Sequence, residues 1–173
     1  FMLATIAHFG EEGYLDYWQA LVENQVVVTS DWETAYYTNF SASSGRGPQP
    51  MVVSYASSPV AELIYAEEPL DEAPTASIVS PNACWRQVEF AGILKGTSNR
   101  LMAEKFIDFL LSIEFQEDVP LQMFVYPVHP QATLPTEFVQ ATQIPQQPAS
   151  LDPALIAQNR ESWIEAWTEL VLK

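Results

Sequence analysis

Four short runs of strand-forming residues, alternating with helix starts, most constrain what this chain can fold into. "VVVT" (26–29) runs into "SDWETAYYTNF" (30–40), and "MVVSYA" (51–56) runs into "SSPVAELIYAEE" (57–68). "TASIVS" (75–80) and "WRQVEFAGIL" (85–94) have the same β-branched and aromatic character, with Val88, Phe90 and Ala91 marking a buried face in the second. Strands that hand over to helices predict an α/β fold with a parallel or mixed sheet. On that reading the short valine run is buried between layers.

The helices have clearer local signals. "FMLATIAHFG" reads as the body of an apolar helix ending at Gly10, and upstream sequence is expected to have been removed or to lie outside this chain. Tyr14, Leu15, Trp18, Leu21 and Val22 form the stripe of an amphipathic helix over 13–24. Ser30 is the expected cap of the next helix, with Glu33 in the reciprocal capping-box position. Ser57 or Ser58 caps the one after, with Pro59 in its first turn. "RLMAEKFIDFLLS" is a strong helix, "IEFQEDV" a shorter one stopping at Pro120, and 129–151 a wrapping segment rich in Pro, Gln and Thr. The chain closes on "LDPALIAQNRESWIEAWTELVLK", where Asp152 caps, Pro153 takes the first helical position, and Trp163 and Trp167 lie on the core face.

Charge narrows the function. The chain has 22 Asp and Glu against 7 Lys and Arg, a net charge of −15. Nucleic acid, whose binding requires neutralising phosphates, is therefore not an expected partner. No apolar run reaches the roughly 18 residues that cross a bilayer. Cys84 is the single cysteine and His8 and His129 the only histidines, so neither a metal site nor a catalytic constellation is expected, and the chain reads as a non-enzyme. The distinctive pattern is aromatic residues beside small polar ones at the turns "SDWETAY" and "VSYASSP", with a further aromatic cluster in "QMFVYPV". Such residues suit a flat or cationic ligand. Trp32, Tyr36 and Phe40 share one helical stripe, so the same residues also suit a core.

Several segments resemble one family. "DWETAYYTNF", "VVSYASSPVAE", "RQVEFAGILKGT", "IDFLLSIEFQEDVPLQMFVYPV", "LPTEF" and the closing helix look like the C-terminal half of thiamine-binding proteins, the receptors of bacterial thiamine ABC transporters. The resemblance implies a type II periplasmic-binding fold, two lobes with mixed sheets, of which this chain is half. It implies that residues 1–84 form most of the second lobe, 85–94 a hinge-crossing strand, and 95–173 the C-terminal part of the first lobe.

What it implies about function is capture of thiamine or its phosphates as transported ligand, without catalysis or cofactor, in the periplasm or outside the cell, and delivery to a membrane permease. The missing N-terminal half of the same protein, or a second copy, is a further expected partner. Carried over by motif, the ligand contacts are Trp32, Tyr36, Tyr55, Ser57 and Phe124, with no metal ligands. Phe124 stands where the family often has Trp, which keeps an apolar face and loses the indole N–H. Alternatives are a receptor for another small cation or an iron complex, and an enzyme on the same bilobal scaffold. The same reading packs Phe40 and Tyr37 inward and turns Trp32 toward the ligand.

Overall fold

The computed structural model describes residues 1–173, with every side chain except that of Ser44. It divides into two compact units. Unit 1 comprises Phe1–Ser54, Ile78–Arg86 and Ile144–Lys173, and unit 2 comprises Tyr55–Ser77 and Gln87–Gln143.

Unit 1 is organised by two long helices, α1 (Met2–Glu23) and α7 (Pro153–Val171), which pack on each other. Gly10 breaks α1 with φ 78° and ψ 172°, a left-handed backbone that glycine adopts without a Cβ penalty. The two expected helices are thus present as two helical segments that meet at a glycine break. The Asp152 carboxylate accepts the Ala154 N–H at 2.9 Å and starts α7. From there its apolar face reaches α1. Ile6, Tyr14, Trp18 and Trp163 form the buried centre, with Leu151, Ile156 and Trp167 packed around it. Three polar tips inside this core are satisfied, while the Trp167 indole N–H is buried without a partner. Tyr14 donates to the Trp163 carbonyl at 3.3 Å, Trp18 Nε1 to Thr5 Oγ1 at 3.1 Å, and Trp163 Nε1 to Glu11 at 3.2 Å. Each unmade bond here would cost a desolvation penalty of about 1–3 kcal/mol.

The rest of unit 1 holds a π-helix, Thr34–Asn39, followed by one turn, α2 (Ser41–Ser44), inside what the composition marks as loop. In unit 2, α3 (Ser58–Ile64) packs on α6 (Thr136–Ala141), burying Val60 and Phe138 completely, and α4 (Arg100–Leu110) touches α5 (Ile113–Met123). The Ser112 hydroxyl caps α5, accepting from Phe115 N at 3.3 Å. Pro120 does not end α5 as expected. It lies inside the helix, and its fully buried ring offsets the hydrogen bond its missing N–H cannot make to the preceding turn. Helix α6 falls in the expected wrapping segment, and its Phe138 meets Tyr126 edge-on at 5.7 Å.

The α/β expectation, and with it the mixed sheets of a type II binding fold, is corrected. Helix accounts for 51% of the chain, and among the described residues there is no sheet. Among the described residues the extended segments make only two isolated bridges, Phe40 with Gln49 and Trp85 with Ala149. The four β-rich runs form no hydrogen-bonded ladder, and most of their apolar residues are exposed: Val27 is 48% exposed, Val53 57%, Ile78 69% and Phe90 91%. A strand exists only through a neighbour that accepts its N–H groups and covers one face. These runs have the composition of strands and lack that neighbour, so packing in both units is helix on helix.

Candidate ligand-binding site

The aromatic residues of "SDWETAYYTNF" form one assembly within unit 1. Its cap is Asp31, not Ser30: one carboxylate oxygen accepts the Thr34 N–H at 2.7 Å, and the other accepts the Ser30 hydroxyl at 2.6 Å. The Ser30 hydroxyl, then the Thr34 backbone and side chain, hold the Asp31 carboxyl below its ordinary value, so it is ionised at neutral pH. The helix it starts is of the wide π type, with Phe40 N bonded five residues back to the Ala35 carbonyl at 3.0 Å.

Trp32 stacks on Tyr36 at 4.8 Å with an interplanar angle of 21°, and Tyr36 tilts against Phe40 at 5.5 Å. Tyr37 meets Trp32 edge-on at 5.5 Å. The Trp32 indole N–H donates to Ser54 Oγ at 3.0 Å, which fixes the ring's direction. Exposure separates their roles. Tyr36 is 3% exposed and Phe40 9%, whereas Trp32 is 38% and Tyr37 58% exposed. Trp32 therefore presents an oriented ring, Tyr36 backs it from the core, and Phe40 is core as expected. Tyr37, expected to pack inward, points outward. The wide π turn changes the angular step between successive side chains, so α-helical spacing misplaces the residue after Tyr36.

The other three site residues lie in unit 2. Tyr55 is 63% exposed, and its N–H donates to Ser58 Oγ at 3.3 Å. Ser57 is only 4% exposed and donates its hydroxyl to the Phe124 carbonyl at 2.5 Å. Its hydroxyl is engaged with the protein backbone, and it makes no N-cap bond to α3. Phe124 ends α5 in a left-handed conformation, φ 55° and ψ 35°, uncommon for a bulky residue. Its ring lies 5.8 Å from Tyr65, which is 73% exposed at the end of α3. Tyr65 is absent from the sequence-derived set. It falls inside a helical pattern with no motif marking it, and only the fold brings it to Phe124.

Other chemistry finds no centre. No group of three His, Cys, Asp or Glu side chains gathers to hold a metal among the described residues. Burial pushes the Cys84 thiol above its ordinary value, the wrong direction for a thiolate nucleophile. His129 Nδ1 accepts from Gln131 N at 3.2 Å within its own turn, and His8 packs edge-on against Phe9 at 4.5 Å. A hollow of about 420 Å³ on α4, lined by Met102, Phe106 and Phe109, contains none of the expected site residues. No helix among the described residues is long and apolar enough to cross a membrane.

In class, then, the chain presents a half-open Trp32 ring held in direction by Ser54, and among the described residues it gathers no group of three His, Cys, Asp or Glu side chains. Comparison with known proteins gives the particular relatives. The chain is 31% identical over 154 residues to the thiamine-binding periplasmic protein of Escherichia coli K12, covering 89% of this chain and 44% of that protein. The thiamine-binding periplasmic protein of Salmonella typhimurium gives the same identity and coverage, and that of Brucella suis is 27% identical over 153 residues, 87% of this chain and 42% of the relative. The chain is thus similar to thiamine-binding periplasmic proteins along most of its own length, and it spans less than half the length of these relatives. No family model matches it, and no solved structure matches.

Proposed function

We propose that these 173 residues supply part of a receptor that captures thiamine or a thiamine phosphate in the bacterial periplasm and delivers it to the permease of an ABC transporter. The observation that carries this reading is the similarity to proteins named thiamine-binding and periplasmic, on a chain whose Trp32 ring is half-open, backed by Tyr36 and steered by Ser54. Thiamine joins a cationic thiazolium to a flat pyrimidine. An aromatic face attracts such a cation by about 0.5–2 kcal/mol per contact, more as water is excluded. The net charge of −15 adds a long-range pull on a cationic solute.

Trp32, Tyr55 and Phe124 are the proposed contacts. Tyr36 and Ser57 act from beneath, since both are buried. Titration calorimetry on the protein at its natural length, with thiamine, thiamine monophosphate and the free pyrimidine, tests the reading. Saturable binding of a thiamine form, with the pyrimidine much weaker and no thiamine ester hydrolysed, is the expected result. Absence of binding to every thiamine form overturns it. Hydrolysis of an ester would favour an enzyme instead.

A further inference from the structure

Two of the buried polar side chains in this protein act on one short segment. Gln116, 8% exposed on α5, accepts the Val128 N–H at 2.7 Å and donates to the Leu110 carbonyl at 2.8 Å. Ser57, 4% exposed at the start of α3, donates to the Phe124 carbonyl at 2.5 Å. Between those clamps the chain passes through Phe124 in its left-handed conformation. A phenylalanine in that region needs surrounding structure to hold it there. The two ends of α3 both grip this residue. Ser57 takes its carbonyl, and Tyr65, the residue that ends the helix, takes its ring at 5.8 Å.

Had Ser57 capped α3 in the ordinary way, its side chain would accept a backbone N–H of the first turn. It donates to a carbonyl 67 residues away instead. We propose that Ser57 is a positioning residue: its hydroxyl holds the Phe124 backbone so that the Phe124 ring stands beside Tyr65 as a preformed aromatic surface for the ligand's flat ring. This rests on the thiamine-binding reading for its ligand, and on the geometry alone for its claim about Phe124. Preforming the surface matters because ordering a free aromatic side chain at the moment of binding would subtract from affinity.

The test uses the protein at its natural length with 4-fluorophenylalanine placed at Phe124 and read by fluorine NMR without ligand. Ser57→Ala should shift or broaden that resonance, and Ser57→Thr, which keeps a hydroxyl, should restore it. Ser57→Cys, close in size with a weaker donor, should fall between and serves if the alanine variant does not fold. An unmoved resonance in both Ser57→Ala and Ser57→Cys overturns the proposal, whatever the ligand turns out to be. On thiamine, Ser57→Ala should weaken binding about 3- to 10-fold, the size of one net hydrogen bond. In a Phe124→Ala background it should cost nothing further, because the two act as one unit. Additive losses would show that Ser57 acts otherwise than through Phe124. Failure of the unmodified protein to bind thiamine would remove the ligand and leave the fluorine result to decide the positioning role.

Discussion

Tyr36 and Tyr37 are chemically identical neighbours with opposite environments, and replacing each by alanine measures the π-helical register directly. An aromatic side chain buries about 200 Å² when fully covered, worth about 5 kcal/mol at 25 cal/mol/Å². Tyr36 keeps 3% of its exposure, so nearly the whole amount is at stake. Tyr37 keeps 58%, which leaves about 2 kcal/mol. Denatured-state burial lowers both figures while leaving their difference, about 3 kcal/mol, more secure. The assay is urea denaturation followed by tryptophan fluorescence. All five tryptophans, at positions 18, 32, 85, 163 and 167, lie in unit 1, so the signal reports the unit that holds both tyrosines. Tyr36→Ala should lower the unfolding free energy by about 3–5 kcal/mol, in the range of large-to-small aromatic truncations. Tyr37→Ala should lower it by about 2 kcal/mol or less. Equal losses, or the larger loss at Tyr37, would mean that an α-helical register packs Tyr37 inward and that the arrangement around Trp32 is wrong.

Three further outcomes follow from single contacts. Asp152→Ala removes the cap of α7 and should cost about 1 kcal/mol, seen as an earlier urea midpoint in tryptophan fluorescence. Phe138→Ala opens a cavity where α6 packs on α3 and should cost about 3–5 kcal/mol. Unit 2 holds no tryptophan, so that loss should appear in far-ultraviolet circular dichroism with the tryptophan signal little changed. The Asp31 carboxyl should titrate by NMR below the ordinary 3.8. Because its folded value is depressed, its stabilisation of the Thr34 turn is present above the unfolded value and disappears as pH falls through the folded one. Asp31→Asn should abolish that acid-side dependence.

The elements legible in the sequence are those whose causes are local. Helix α7 is announced by Asp152, Pro153 and the spacing of Trp163 and Trp167, all within the helix itself. Helix α1 is equally plain in its stripe, and Gly10 marks its kink. The β-rich runs mislead because composition records only half of what a strand needs. Val26–Val28 and Met51–Val53 have the side chains and no neighbouring strand, and the Val26 N–H turns back to the Leu21 carbonyl at 2.9 Å. Pro120 misleads in the other direction, since burial keeps it inside α5. In the candidate site, the stripe of Trp32, Tyr36 and Phe40 is legible from its four-residue spacing, and the three rings pack along it. The outward turn of Tyr37 is not, because it follows from the π-helical step. The contacts of Ser57 and Tyr65 are not legible either, because both are made to Phe124, which only the tertiary fold brings near.

The central claim is that the Trp32 ring meets thiamine. Titration calorimetry of the natural-length protein and its Trp32→Ala variant against thiamine tests it most directly. Losing one aromatic wall should weaken binding by about 1–3 kcal/mol, roughly 5- to 150-fold, with a smaller loss of stability than Tyr36→Ala produces. Unchanged thiamine affinity in Trp32→Ala, together with a fall in the denaturation midpoint as large as that of Tyr36→Ala, would contradict the claim and return the whole aromatic stripe to the core.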